Sequence, residues 1–355
     1  RQMCIRDRVG SVVLAAALVG LVDPIVRLIS TPEEAVAGTA AYLTICFIGI
    51  PCITAYNVLA SIFRGMGDSQ SPMYFIAAAC VVNIGLDFFF MGALRLGPAG
   101  AALGTTLSQA VSVLLALCVI LKRRSIRLSK SDFCPRKATM KDILSIGLPV
   151  AAQDGFIQVS FMLITIMANQ RGLTDAAAVG IVEKIISFLF LVPSSMLSTV
   201  SALGAQNIGA GKYDRVDKIL RYAIAIGVGF GAVMALLMQF IAPSVVRPFT
   251  SDEAVVKAGA AYIRSYIFDC LFAGIQFSFS GYFCAWGRSG LSFLHNTLSI
   301  LMVRVPGAWL ACRFFPQTLV PMGLAPACGS LFSSIVCILL YRWMKRQNKP
   351  TGDKD

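Results

Sequence analysis

Two stretches of the chain repeat one another: TPEEAVAGTAAYL at residues 31–43 and TSDEAVVKAGAAYI at residues 250–263. At a spacing of 220 residues, FRGMGDS (63–69) also aligns with FCAWGRS (283–289), so a glycine turn recurs one helix after each phrase. A repeat of this length holds several helices, which is typical of the internal repeat of a transporter rather than of a solenoid.

The repeat also predicts how the two halves of the chain are related. LGPAGAA (96–102) resembles MGLAPAC (322–328), so the similarity extends beyond the glycine turns. If the apolar stretches between these motifs cross a membrane, counting the crossings places both acidic phrases on the outer side and both glycine turns on the cytoplasmic side. The two halves are therefore not inverted. We expect an axis along the membrane normal to relate them.

The composition is that of a protein embedded in lipid. Hydrophobic residues make up 57% of the chain and charged residues only 14%, against about 25% charged in soluble domains. Apolar stretches of roughly 20 residues recur, each long enough to cross a bilayer as a helix. We predict an all-α, polytopic membrane protein with about ten spans, at residues 9–29, 38–62, 72–94, 99–121, 145–168, 176–203, 219–243, 258–284, 291–312 and 320–341.

The net charge of +13 follows the rule that Lys and Arg collect in cytoplasmic loops, and it does not indicate a nucleic-acid partner. Basic residues cluster between the fourth and fifth spans and in the tail: Lys122, Arg123, Arg124, Arg127, Lys130, Arg136, Lys137, Lys141, Arg342, Lys345, Arg346 and Lys349. We therefore expect a multi-pass protein of a prokaryotic plasma membrane, in contact with the lipid bilayer, with its C-terminus in the cytoplasm.

Cysteine and histidine usage indicates neither a metal centre nor a cofactor. The 11 cysteines are scattered, mostly within apolar spans, and His295 is the only histidine. No CxxC or Cys/His cluster occurs in the sequence. We interpret the cysteines as apolar packing residues and expect no cofactor.

The most specific string is AAAVGIVEKIISFLFLVPSSMLSTVSALGAQNIGAGKYDRVDK at residues 176–218. An apolar helix passes through Pro193 and ends in the glycine-rich turn GAQNIGAG, which is not a phosphate loop because no strand precedes it and no GK[ST] follows. The string resembles the stretch joining the second and third helices of the second lobe in the multidrug and toxic compound extrusion (MATE) family of cation-coupled antiporters. The resemblance covers residues 9–346 and includes LGPAGAALGTTLSQ, GLPVAAQ and RVP. Its structural motif is Gln206, Asn207, Gly209 and Gly211.

The resemblance implies twelve helices in two six-helix lobes, which open alternately to the two sides of the membrane while cationic or amphipathic compounds leave and Na⁺ or H⁺ enters. By that pattern this chain lacks the first two helices, and we expect a monomer. The expected division is a foreign or misread segment at 1–8, an incomplete first lobe (helices 3 to 6) at 9–121, a basic cytoplasmic loop at 122–144, a second lobe at 145–346 and a cytoplasmic tail at 347–355.

A candidate ion-coupling site lies in the third predicted span. Asn83 and Asp87 are four residues apart, hence on one helical face. A carboxylate at that depth costs at least about 2.5 kcal/mol, so it should face the bundle and have a partner. By resemblance, the pair matches the N-x-x-x-D pair of the family, and Thr105 with the carbonyl of Ala101 match positions in the following helix. The alternative is a hydrogen-bonded pair that only locks helices.

The chain departs from the family pattern at other coupling positions. In many members a first-helix carboxylate completes the site, and some branches carry a Glu in the seventh helix, where this chain has Ile157 beside Gln158. The second-lobe carboxylate of those branches is likewise unmatched, because Asp269 lies about one helical turn from the expected place. The coupling argument therefore rests on the first lobe, with Na⁺ and H⁺ both open.

Further polar residues lie inside the second-lobe spans. Gln153, Asp154 and Gln158 in the fifth span, with Asp269, are candidates for a substrate-binding wall, and interhelical hydrogen bonds are an equal alternative. Three charged residues lie within other spans, and each should form an ion pair or face water: Glu183, Lys184 and Arg304. The structural interpretation is that they form salt bridges that hold the helices of the lobe together.

Three other functions compete with cation-coupled export. A membrane enzyme needs clustered carboxylates or a nucleophile with its base, and the sequence has neither, so we expect no enzyme. A lipid-linked oligosaccharide flippase is the closer alternative, but it should have more Lys and Arg within its spans. A purely structural membrane protein would have no Asp or Glu side chain buried within its spans. The expected partners are small cationic or amphipathic molecules.

Overall fold

The structure, a computed structural model, describes residues 15–28, 33–123 and 137–347. Within these ranges the chain is helical and contains no strand. Residues 15–20 form a helical turn, and the helices that follow are α1 (Val22–Leu28), α2 (Glu33–Gly65), α3 (Gln70–Asp87), α4 (Gly97–Arg123), α5 (Lys137–Asn169), α6 (Leu173–Leu189), α7 (Leu191–Gly209), α8 (Tyr213–Val246), α9 (Glu253–Tyr266), α10 (Phe268–Ala285), α11 (Ser289–Ser299), α12 (Val305–Phe314) and α13 (Val320–Gln347). π-Helical turns at Phe88–Ala93 and Ile300–Arg304 extend α3 and join α11 to α12.

Nine helical segments of the described ranges are long and apolar enough to cross a membrane. They coincide with the last nine predicted spans, so the all-α, polytopic fold class is confirmed. The first predicted span, 9–29, lies partly outside the described residues, as do the segment 1–8 and residues 348–355 of the tail.

The chain divides into two compact units, Arg1–Met140 and Lys141–Asp355. The loop predicted at 122–144 is shorter than expected, because α4 runs to Arg123 and α5 already begins at Lys137. Lys, Arg, Ala and Met are good helix formers, so both helices continue past their apolar parts. Residues 124–136 lie outside the described part.

In the first unit, α4 packs against both α2 and α3. Their shared core is apolar and buried: Tyr56, Leu59, Ala60, Phe63, Phe75, Ala116 and Ile120. The rings of Phe63 and Phe75 meet edge to face, with centroids 5.5 Å apart. The hydroxyl of Tyr56 donates to the carbonyl of Pro72 at 3.2 Å. One aromatic cluster therefore fixes how α2 and α3 pack.

The glycine turns of the sequence repeat have the same backbone structure. Gly67 ends α2 with φ +86° and Gly287 ends α10 with φ +69°, a left-handed conformation that glycine adopts without a Cβ penalty. The next N–H donates back to the carbonyl five residues earlier in both places, to Phe63 at 3.0 Å and to Phe283 at 2.9 Å. The repeat at these positions is therefore structural as well as sequential.

In the second unit, α9 and α10 form the most buried membrane-spanning segment. α10 packs against α7, α8 and α13. It approaches α8 closely at Gly274, where a Cβ added to Gly227 would lie 2.8 Å from the Gly274 Cα atom. Small residues allow this contact, as is usual between membrane helices.

The predicted span 176–203 is two helices rather than one. α6 ends at Leu189 and α7 begins at Leu191, with Phe190 between them. Pro193 has no N–H to donate to the carbonyl of Leu189, four residues earlier, so the helix breaks at this turn. The Cys270 thiol lies 3.9 Å from the freed Leu189 oxygen and gives it a partner.

The glycine-rich turn after this span is shorter than its sequence indicates. α7 continues through Gln206 and ends at Gly209, and Gly211 follows with φ +71°. The amide of Asn207 donates to the carbonyl of Leu203 at 2.8 Å, and the Asn207 carbonyl accepts from the Lys212 N–H at 2.8 Å. These bonds satisfy the helix end, so the motif Gln206, Asn207, Gly209 and Gly211 acts as a helix C-cap.

Candidate ion-coupling and substrate sites

Asn83 and Asp87 lie on one face of α3, as their spacing predicts. Both side chains are half-buried, and the Asn83 Nδ2 atom is 3.5 Å from Asp87 Oδ1. Asp87 is the last residue of α3, and the backbone changes to π-helical geometry at Phe88. π-Helical turns inside α-helices are frequent at functional sites.

The carboxylate of Asp87 is seated against Gly104 of α4. A Cβ atom at Gly104 would collide with Asp87 Oδ1 and would lie 3.5 Å from Asn83 Nδ2. Gly104 is therefore part of the site, because only a residue without a side chain lets the carboxylate reach the α4 backbone. Sequence reasoning missed it, although the glycine stands inside the quoted string LGPAGAALGTTLSQ.

Ala101 and Thr105, the other two predicted members of this site, differ in how exposed they are on α4. Ala101 is three residues before Gly104 and therefore lies on the same face of α4. Thr105 is exposed, and in the described ranges no hydrogen bond joins it to Asp87. The reason is helical geometry, since successive residues turn by about 100° around the axis.

In the second unit, Asp269 of α10 is completely buried, and neither carboxylate oxygen accepts a hydrogen bond from the described residues. The positive charge that acts on it is that of Arg304, which is 8% exposed. The Arg304 Nη2 atom donates to the Tyr266 hydroxyl at 2.9 Å, and its guanidinium lies 4.7 Å from the centre of the Phe161 ring. No salt bridge joins Asp269 to Arg304 in the described ranges, so this charge acts on the carboxylate without direct contact.

Glu183 and Lys184, which the sequence places side by side, point to different surroundings. Glu183 is half-buried and accepts a hydrogen bond from the Thr165 hydroxyl at 3.2 Å. Lys184 is exposed. No salt bridge joins either of them to Arg304 in the part of the chain that is described. The predicted salt bridges are therefore replaced by a hydrogen bond and by the Arg304 contacts.

The four candidate substrate residues do not form one wall. Gln153 is 1% exposed and its Oε1 atom accepts from the Ser292 hydroxyl at 2.7 Å, while its Nε2 atom has no partner among the described residues. Asp154 and Gln158 are exposed on another face of α5, and Asp269 lies in the interior. Gln153 thus makes the interhelical bond that was the alternative, and only Asp154 and Gln158 are open to a ligand.

The interior of the second unit also holds a polar contact that the sequence did not indicate. His295 is fully buried, and its two ring nitrogens lie 3.0 Å from the Ser280 hydroxyl and 2.7 Å from the Ser333 hydroxyl. The ring thereby links α11 to α10 and α13. One histidine and two serines on three different helices carry no local pattern, so only the packing reveals this contact.

These features define a polytopic helical membrane protein whose two units each hold a carboxylate within the membrane-spanning part. The MatE family model matches residues 9–89 and 149–310, more than half of the chain. The chain belongs to the MATE family of transporters.

Individual relatives agree with this assignment. YpnP of Bacillus subtilis, described as a probable multidrug resistance protein, is 30% identical over 336 residues, which is 94% of this chain and 74% of the relative. NorM of Thermotoga maritima, described in the same words, is 22% identical over 342 residues, or 94% and 74% of the two chains. The crystal structure of a mutant of the Vibrio cholerae MATE transporter VcmN superposes with a TM-score of 0.91 at 18% identity, covering 98% of this chain and 78% of that one. That last likeness concerns the fold alone.

Proposed function

We propose that this chain is a secondary transporter that exports cationic or amphipathic small molecules in exchange for Na⁺ or H⁺, with Asp87 as the carboxylate that binds the coupling ion. The proposal includes a prokaryotic plasma membrane as the location, a cytoplasmic C-terminus, a monomer as the working unit and no bound cofactor. The multidrug resistance descriptions of YpnP and NorM support small-molecule export.

The observation that carries the proposal is the placement of Asp87. Its carboxylate is half-buried at the end of a membrane-spanning helix, and in the described ranges it forms no salt bridge. Membrane carboxylates are costly and normally have a partner. Asp87 and Asp269 both lack a salt bridge in the described ranges, but the charge of Arg304 acts on Asp269, whereas Asp87 has only the weak contact with Asn83. An exchangeable cation or proton would supply the charged partner that Asp87 lacks in the described ranges.

The groups around Asp87 suit a small hard cation. Its carboxylate and the side-chain oxygen of Asn83 are the kind of ligand that such cations prefer, and rotation of the Asn83 amide would present that oxygen. A proton would instead neutralise the carboxylate directly. Gly104 lets the carboxylate lie directly against the α4 backbone, because it adds no side chain.

Ion binding can drive transport only if the two conformations of the protein bind the ion with different affinity. Shifting the ratio of the two conformations from 1:99 to 99:1 needs about a 10⁴-fold difference in their affinity for the ion. The π-helical turn Phe88–Ala93 begins immediately after Asp87. A change of geometry in this turn would move the carboxylate relative to Gly104, and this is how we expect binding and conformation to be linked.

The test is dye efflux from proteoliposomes, with a Na⁺ gradient and a pH gradient imposed separately. Asp87→Asn keeps the size and hydrogen bonding of the side chain and removes its charge, so gradient-driven export should fall by about 5- to 150-fold, the usual range of coupling energies. Asn83→Ala removes one neutral ligand and should reduce the ion dependence less. Whichever gradient drives the parent protein identifies the ion.

The matched control is Asp214→Asn, which removes an exposed carboxylate from the first turn of α8 and should leave export unchanged. Export by Asp87→Asn at the parent rate, with the same ion dependence, would show that the Asn83–Asp87 pair is only structural. Movement of a fluorescent lipid-linked sugar but not of cationic dyes would instead favour the flippase function.

A further inference from the structure

A cavity of about 360 Å³ lies in the second unit, where the start of α8 meets the ends of α10 and α13. Its lining is aromatic on three sides and basic at one edge: Tyr213, Tyr282, Trp286, Met344 and Lys345. None of these residues belongs to the ion-coupling site or to the candidate substrate residues.

The aromatic walls of the cavity are held by their own contacts. The ring of Tyr213 stacks on that of Trp286, with centroids 5.6 Å apart and planes 20° apart. Tyr282, only 2% exposed, packs against both Trp286, at 6.2 Å, and Tyr341, at 5.4 Å. These preformed faces need little reordering to accept a flat or compact ligand.

A carboxylate lies beside these rings. Asp217 of α8 accepts hydrogen bonds from the hydroxyls of Tyr282 and Tyr341, each at 3.3 Å. The ammonium of Lys345 forms an ion pair with the same carboxylate and lies 5.8 Å from the centre of the Tyr341 ring. The protein therefore already binds one ammonium group between a carboxylate and an aromatic face.

This resident ammonium is exchangeable. The Lys345 side chain is 48% exposed and sits in the last turns of α13, on a flexible four-carbon stem. Ion pairs of such exposure contribute little. An organic cation would gain the same carboxylate if the Lys345 ammonium moved away, and it would also contact the exposed parts of Tyr213 and Trp286, whose rings stack on one another. Aromatic cages of this kind are the usual recognition site for quaternary ammonium groups.

We propose that this cavity is a binding site for organic cations of the quaternary ammonium class, with Lys345 as a built-in competitor for Asp217. The site does not depend on the proposed export function. Basic residues lie at and just before the start of α8: Lys212, Arg215, Lys218 and Arg221. Salt screens both their repulsion and the attraction of Asp217, so the affinity for a cation should depend only weakly on ionic strength.

The test uses tetraethylammonium and the fluorescence of Trp286 in purified detergent-solubilised protein. The chain has 3 tryptophans, so Trp309→Phe with Trp343→Phe leaves Trp286 as the only reporter. In this background Lys345→Met should tighten tetraethylammonium binding by about fivefold, since it removes the competitor, and Asp217→Asn should weaken it by at least as much. The double variant should bind as weakly as Asp217→Asn alone.

Two controls separate this site from other effects. Arg346→Gln removes a neighbouring positive charge without touching Asp217, and it should change the affinity less than twofold. Asp87→Asn should not change the Trp286 signal, so a failure of the export proposal would leave this result intact. Thermal unfolding of each variant verifies that it is folded.

The proposal fails if Lys345→Met binds tetraethylammonium no more tightly than the parent, or if Asp217→Asn leaves the titration unchanged. Displacement of the probe by phosphatidylglycerol, with no change of affinity in Asp217→Asn, would show instead that the cavity takes an anionic lipid headgroup.

Discussion

Arg304 is the basis of the sharpest stability prediction, because it is buried and its charge acts on the buried Asp269 without forming a salt bridge in the described ranges. Breaking a buried pair of charges costs about 3–5 kcal/mol, because the remaining charge is left uncompensated, and we expect the loss of the Arg304 charge that acts on Asp269 to lie in this range. Arg304→Gln also removes the hydrogen bond to Tyr266 and the contact with the Phe161 ring, two reasons to expect the upper part of this range. With about 2–4 °C per kcal/mol for a unit of this size, the unfolding midpoint should fall by roughly 6–20 °C.

The double variant Arg304→Gln/Asp269→Asn tests whether the two charges are coupled. It removes both charges and keeps both side chains polar. The loss in free energy of unfolding should therefore be smaller than the sum of the losses of the two single variants by about 1–3 kcal/mol. Arg304→Lys keeps the charge but loses the planar contacts, and it should lie between Arg304→Gln and the parent.

The assay is thermal unfolding in detergent, followed with a thiol-reactive fluorophore. Cys270 and Cys337 are completely buried, so their thiols become reactive when the second unit unfolds. Arg313→Gln is the matched control, because Arg313 also lies over an aromatic ring, Trp309 at 6.0 Å, but is exposed. Its effect should stay within about 0.5 kcal/mol. The reasoning is refuted if Arg304→Gln unfolds no earlier than Arg313→Gln, or if the single costs simply add.

Two further predictions follow from close contacts. Gly104→Ala places a methyl group against the Asp87 carboxylate and should abolish ion-dependent efflux, whereas Gly85→Ala, which meets open space, should not; equal activity of the two variants would remove Gly104 from the site. The Arg171 guanidinium donates to three carbonyls within residues 315–318, at 2.9–3.1 Å, so Arg171→Ala should speed proteolysis of that loop several-fold, and an unchanged cleavage rate would contradict this role.

Much of the fold could be predicted because its determinants are local. Length and apolarity define membrane spans, since a helix must satisfy its own backbone in lipid, and nine spans were found where expected. The repeat located both glycine turns, because a left-handed residue at a helix end favours glycine. The Asn83–Asp87 contact followed from helical periodicity alone.

Only the tertiary structure decided which residues of other helices these local features contact. Gly104 became part of the Asp87 site through the packing of α4 against α3, and Thr105, one residue further on, was turned away from it. The same holds for Arg304, which contacts Phe161 and Tyr266 from helices far apart in the sequence. A sequence specifies the polar face of each helix within a turn or two, but which faces meet depends on the tilt, rotation and separation of whole helices, and these are set by the packing of all their side chains together.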